Sequence, residues 1–174
     1  MILSVEKAKE FVSLDGWTDA KIEMKLKAIE QTIRQYTSNN FQRRAIRRVA
    51  DVLDGVLYVE ALTPFEVGET VQISDSALNE GLYTVTSVDD SFFTVAESLQ
   101  DEKDVLVTKV EYPADVVDCC VKLLEWDKSY GGKVGVKSET LSRHSVTYED
   151  SVTLYNGYPV GILKGLNLYG KARF

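Results

Sequence analysis

The sequence predicts an α+β chain: a small bundle of three main helices, an inserted antiparallel β module, and an extended C-terminal arm. Three observations predict it. An apolar stripe of helical period runs through residues 22–36. Short runs of β-branched and aromatic residues follow one another between 49 and 110. The last forty-odd residues mix glycine with large apolar side chains. The expected division is 1–44 with 112–132 for the helical core, 45–111 for the β module and 133–174 for the arm. At 174 residues, 44% apolar and 27% charged, the chain can bury a core that needs neither disulfide nor metal. No apolar run nears the roughly 20 residues of a spanning helix. Glu6 and Lys7 stand where a secretory leader would be apolar, so no leader is expected.

In the helical part, Ser4 can cap a short helix over Val5–Leu14, with Glu6 in its first turn. Asp15-Gly16 breaks the pattern. Thr18 then caps a longer helix whose Ile22, Leu26, Ile29, Ile33 and Tyr36 recur at intervals of 4, 3, 4 and 3. Ser38-Asn39-Asn40 ends it. Pro113 suits the first position of a third helix, whose apolar face holds Val116, Cys120, Leu123, Leu124 and Trp126. Gly131, Gly132 and Gly135 act as its stop and hinge.

The β module starts near Val49. Asp54-Gly55 between two β-rich runs is a hairpin signal, and further strands are expected at Thr70–Ile73, Leu82–Val88, Phe92–Val95 and Val105–Val110. These suggest a small barrel or sandwich. Charge is uneven. Residues 1–50 hold 10 Lys and Arg against 6 Asp and Glu, residues 51–112 hold 2 against 14, and residues 113–174 hold 8 against 7. An acidic block of this kind repels nucleic acid.

The tail from residue 131 to 174 holds 7 of the 11 glycines together with Val146, Tyr148, Tyr158, Pro159, Ile162, Leu163, Leu166 and Tyr169. Such backbone is costly to order, and a solvated linker would not carry these side chains. The economical resolution is burial on another molecule, a neighbouring copy first of all.

Catalytic constellations are missing. The single histidine, His144, excludes a two-histidine metal site, and Ser145 beside it makes no triad. Gly131-Gly132-Lys133 follows a helix, whereas a phosphate loop follows a strand. Cys119 and Cys120 are adjacent in a helix, badly placed to bond each other, and read as small core residues of a protein made in a reducing compartment. Neither Asp89-Asp90 nor Asp101-Glu102 with Asp104 has calcium-loop spacing, so no metal and no cofactor is expected. Arg43, Arg44, Arg47 and Arg48 form the one basic cluster. An interface with an acidic neighbour is one reading, and a nucleic-acid accessory protein using these arginines is the alternative.

The layout resembles the head-tail connector proteins (adaptor, or head-completion, proteins) of long-tailed bacteriophages. The residues that carry the likeness are Leu14-Asp15-Gly16, Tyr36-Thr37-Ser38-Asn39-Asn40, Leu123-Leu124-Glu125-Trp126, Val136-Lys137-Ser138-Glu139, Ser145-Val146-Thr147-Tyr148-Glu149 and the closing Gly157-Tyr158-Pro159-Val160-Gly161-Ile162-Leu163 with Leu168-Tyr169. They cover about 1–42 and 112–174. The resemblance implies a structural, non-enzymatic virion protein at the head-tail interface. It would form a homo-oligomeric ring, typically dodecameric, docked beneath the portal protein. It would pass DNA through the channel without specific binding and receive a stopper or tail-completion protein on its other face. The arm would then touch the portal or a neighbouring subunit. The acidic segment 45–111 is the departure from the family pattern.

Overall fold

The computed structural model describes residues 1–130, 153–172 and the backbone of 138–141 and 144–147. The chain divides into two compact units, one of Met1–Asn39 with Pro113–Phe174 and one of Asn40–Tyr112.

In the first unit, α1 spans Val5–Phe11 and α2 spans Asp19–Thr37. Ser4 and Thr18 cap them, each side-chain oxygen accepting the backbone N–H three residues on at 3.3 Å. Ser38, in the left-handed conformation at φ 50°, ends α2. The third helix, α3, spans Ala114–Tyr130. Ile22, Leu26, Ile29 and Ile33 of α2 and Val116, Cys120, Leu123 and Leu124 of α3 are buried. After α3 come a two-stranded ribbon, β7 (Ser138–Leu141) with β8 (His144–Thr147), and a short hairpin, β9 (Leu154–Tyr155) with β10 (Tyr158–Pro159). A single helical turn, α4 (Val160–Leu163), runs into a 3₁₀ turn over Lys164–Tyr169.

The second unit is a closed antiparallel barrel. Its strands are β1 (Gln42–Leu53), β2 (Val56–Val59), β3 (Thr70–Ser74), β4 (Gly81–Val88), β5 (Phe92–Val95) and β6 (Glu102–Val110). They pair in the order β1-β2-β5-β4-β3-β6, with β6 returning to β1. Inward residues fill the small interior, as a six-stranded barrel demands: Leu57, Val71, Ile73, Val85, Phe93, Val105 and Val107 are buried there. Asp54 and Gly55, both at positive φ, make the expected tight β1–β2 turn.

This architecture overturns the expected three-helix bundle with a small inserted β module. Helix and strand are nearly balanced, at about 35% and 31%, and the β part is a closed barrel. The physical reason lies in β1. It is twelve residues long because its first half, Gln42–Arg48, is strand, although its run of arginines shows no apolar alternation. That length lets one strand pair β2 at one end and β6 along most of its course, which closes the sheet.

The extended arm is corrected too, over 153–172. Asn156 and Gly157, both at positive φ, turn the chain back between β9 and β10. Tyr158, Pro159, Leu163 and Leu166 are then buried. The fold-back is held by polar bonds as well. The Tyr158 hydroxyl donates to Asp127 Oδ2 at 2.7 Å, and Lys25 Nζ reaches Asp127 Oδ1 at 3.1 Å. The Tyr169 hydroxyl meets both Asp115 oxygens at 2.8 Å. Tyr36 donates to Asn167 Oδ1 at 2.7 Å, Asn39 Nδ2 donates to the Tyr169 carbonyl at 3.1 Å, and the Lys171 N–H donates to the Thr37 carbonyl at 2.8 Å.

Candidate interaction surfaces

The basic cluster belongs to β1, and a break in register shapes it. Gln42 pairs with Val110 and Arg47 with Thr108, so residues 43–46 stand against the single residue Lys109. A bulge of this kind bends the strand and re-aims its side chains. Arg43 and Arg44 lie in it, both exposed. Arg43 Nη1 bonds Glu111 Oε2 at 2.7 Å, an exposed pair of the kind worth about 0–1 kcal/mol. Arg47 points outward, and its guanidinium has no partner among the described residues. Arg48 pairs with Val107 and so starts toward the interior; Nη1 donates to the Arg47 carbonyl at 2.9 Å, and Nε is buried without a partner. The four arginines therefore do not form one patch: two flare from the bulge, one lies on the outer face and one is half-buried.

Past Arg47, the outward positions of β1 are Val49, Asp51 and Leu53. Val49 is 54% exposed and Leu53 52%. Beside them on β2, Tyr58 is 46% exposed, its ring 6.0 Å from that of Phe92. A hollow of about 460 Å³ opens here, lined by Val49, Asp51, Tyr58, Glu60 and Asp104 with Arg48. One Asp51 oxygen is engaged by the Asp104 N–H at 3.0 Å. Sequence reasoning missed this face. Its only signal was that Val49 and Leu53, on the face opposite the inward Ala50 and Val52, are apolar as well.

Of the C-terminal residues expected at an interface, Tyr158, Pro159, Leu163 and Leu166 are largely buried within their own unit, although Pro159 still contributes to the wall of the groove described next. Ile162 and Tyr169 remain partly exposed. Ile162, Val160 and Pro159 line an apolar groove of about 660 Å³ with Trp126 and Thr153. A smaller hollow beside it, of about 310 Å³, adds Tyr130, whose ring stacks on Trp126 at 4.4 Å. Val146 lies in β8 with its side chain outside the described residues, as are Tyr148, Gly131, Gly132 and Gly135.

No group of three His, Cys, Asp or Glu that could hold a metal ion occurs among the described residues. Both cysteines are free and buried. Burial, then Asp118, pushes the Cys119 thiol up to about 11; burial, then the neighbouring Cys119, pushes Cys120 up to about 12. Neither is a nucleophile at neutral pH. Burial, then the bond to Asp127, raises the Tyr158 hydroxyl well above its usual value, so it stays a donor. In the barrel, Glu102 accepts from Ser76 Oγ at 2.5 Å, the Ala77 N–H at 2.6 Å, the Leu78 N–H at 3.2 Å and Asn79 Nδ2 at 2.9 Å. Those bonds, Ser76's first, hold its carboxyl below the ordinary range, and their effect is to tie the β3–β4 loop to β6.

No family model and no curated protein matches the chain. Among the described residues, no helix is long and apolar enough to cross a membrane.

Proposed function

We propose that the chain is a structural subunit of a bacteriophage head-tail connector. It would assemble as a ring beneath the portal protein, leave a channel for DNA that it does not grip, and offer its far face to a stopper or tail-completion protein. In that role it works in the virion and needs no cofactor. The observation that carries the reading is the ribbon β7–β8. It forms a sheet of its own, so its outer edges pair with no other strand among the described residues. A lone two-stranded ribbon is marginal in water, and an unpaired edge is a template for another chain. The ribbon lies in sequence between Tyr130 and Thr153, and both of these line the apolar hollows around Trp126 and Ile162. Edge and groove together are the parts of a subunit that completes itself on a neighbour. The family likeness described above supplies the identity of that neighbour.

The test replaces 133–150 by a short Gly-Ser loop and mixes parent and variant with portal protein for electron microscopy. The parent should form rings on the portal. The variant should keep its thermal melt and form none. A parent that stays monomeric with portal present overturns the proposal, and so does a variant that still assembles. DNA binding at low salt, lost on changing Arg43, Arg44 and Arg47 to Ala, would instead favour the nucleic-acid reading. The barrel's balance of 6 Lys and Arg against 14 Asp and Glu opposes it.

A further inference from the structure

We infer that the outer face of β1 and β2 is a contact between two copies of this chain, with Arg47 of each copy seated in the other's acid-lined hollow. Along β1 the outward side chains run Arg47, Val49, Asp51, Leu53: a cation, an apolar group, an anion, an apolar group. Arg47 and Asp51 stand two residues either side of Val49, about 6–7 Å away along the strand. The pattern is complementary to itself. When two such faces meet with β1 antiparallel about Val49, valine lies on valine, and each Arg47 falls opposite the other copy's Asp51. Two-fold contacts have this property, because residue i meets residue j and j meets i.

The hollow supplies the second half of the fit. Its rim holds three carboxylates, Asp51, Glu60 and Asp104, against the half-buried Arg48. Its wall is the Tyr58 ring, a surface on which a guanidinium stacks well. Arg47, meanwhile, is exposed and has no partner within its own chain among the described residues. An outward arginine, an exposed tyrosine and two exposed aliphatic side chains are the residue types enriched at the centres of protein contacts. The occupant is a second copy because every complementary group is on the same face of the same chain.

The inference stands apart from the connector proposal, since it concerns the purified chain with no portal present. Sedimentation of the full chain, over roughly 10 µM to 1 mM at low salt, spans the range in which contacts of modest area associate. The average mass should climb toward twice the monomer. Arg47→Asp alone and Asp51→Arg alone should each weaken the association roughly tenfold or more, and the chain carrying both changes should recover it. Val49→Ser, at an exposed position, should leave the melt unchanged while weakening association, which keeps the test valid should a charge reversal misfold. A chain that is monomeric throughout overturns the inference. So does association that ignores Arg47→Asp, or a double variant that does not recover. Binding of free arginine to the hollow without any change of mass would mark it as a small-cation pocket instead, and would overturn the contact.

Discussion

The C-terminal segment 153–172 and strand β1 make opposite use of similar material. Both carry large apolar and polar side chains on backbone that departs from regular structure. The segment turns at Asn156-Gly157, buries Tyr158, Leu163 and Leu166, and anchors its hydroxyls on Asp127 and Asp115. β1 bulges at 43–46 and leaves Arg47, Val49 and Leu53 facing water. The difference teaches that a count of apolar residues in a loose segment does not say where they are buried. What decides is whether a turn can aim them at the chain's own helices. A closed barrel has already filled its interior, so apolar groups gathered on its outside, such as Val49, Leu53 and Tyr58, stay open to a partner.

The comparison can be broken most forcefully in the two cores. Phe93→Ala empties the centre of the barrel and should cost about 3–5 kcal/mol. Both tryptophans, Trp17 and Trp126, lie outside the barrel sequence. Denaturant melts followed by circular dichroism should therefore show an early loss of strand signal, while tryptophan fluorescence keeps its parent midpoint. A joint shift of both probes would mean that the units melt as one. Leu166→Ala should do the reverse, lowering the fluorescence midpoint by about 2–4 kcal/mol. An unchanged midpoint there would mean that 153–172 adds nothing to its unit. Tyr158→Phe keeps the ring and removes the donor to Asp127, whose side chain is only 9% exposed, for about 1–2 kcal/mol.

The smallest effect expected is that of Glu102→Gln. The carboxyl of Glu102 is held below its ordinary pKa, so the native state favours the charged form. Its contribution is present above the unfolded pKa and fades as the pH falls through the lowered folded value. Parent and variant should differ modestly at pH 7 and converge in acid. A difference that grows toward low pH would contradict this assignment.

Much of the local structure can be read in the residues. The 4-3-4-3 stripe of α2, the capping Thr18 and the Asp54-Gly55 turn each rest on interactions within a few positions, so sequence spacing carries them. The first half of β1 does not work this way. Gln42–Arg48 is strand because β6 pairs with it across sixty residues of chain, and nothing local marks it. For the same reason the spacing of the strands suggested a barrel or a sandwich without deciding between them, and the balance between the β and helical parts was not legible. Arg43, Arg44, Arg47 and Arg48 could be picked out as a cluster, but not the bulge that sends them in different directions. At the C-terminal end the apolar residues were visible, while the acceptors of their hydroxyls, Asp127 and Asp115, sit on a helix 31 and 54 residues back.

The barrel's two ends have a consequence for its origin and its handling. The Glu111 N–H bonds the Phe41 carbonyl at 3.0 Å, and the Phe41 and Tyr112 rings stand 5.2 Å apart. The chain thus enters and leaves this module through one doorway. A segment so arranged is a cassette: cut out between Asn40 and Tyr112 and replaced by a few flexible residues, it leaves a gap that a short loop can bridge at little entropic cost.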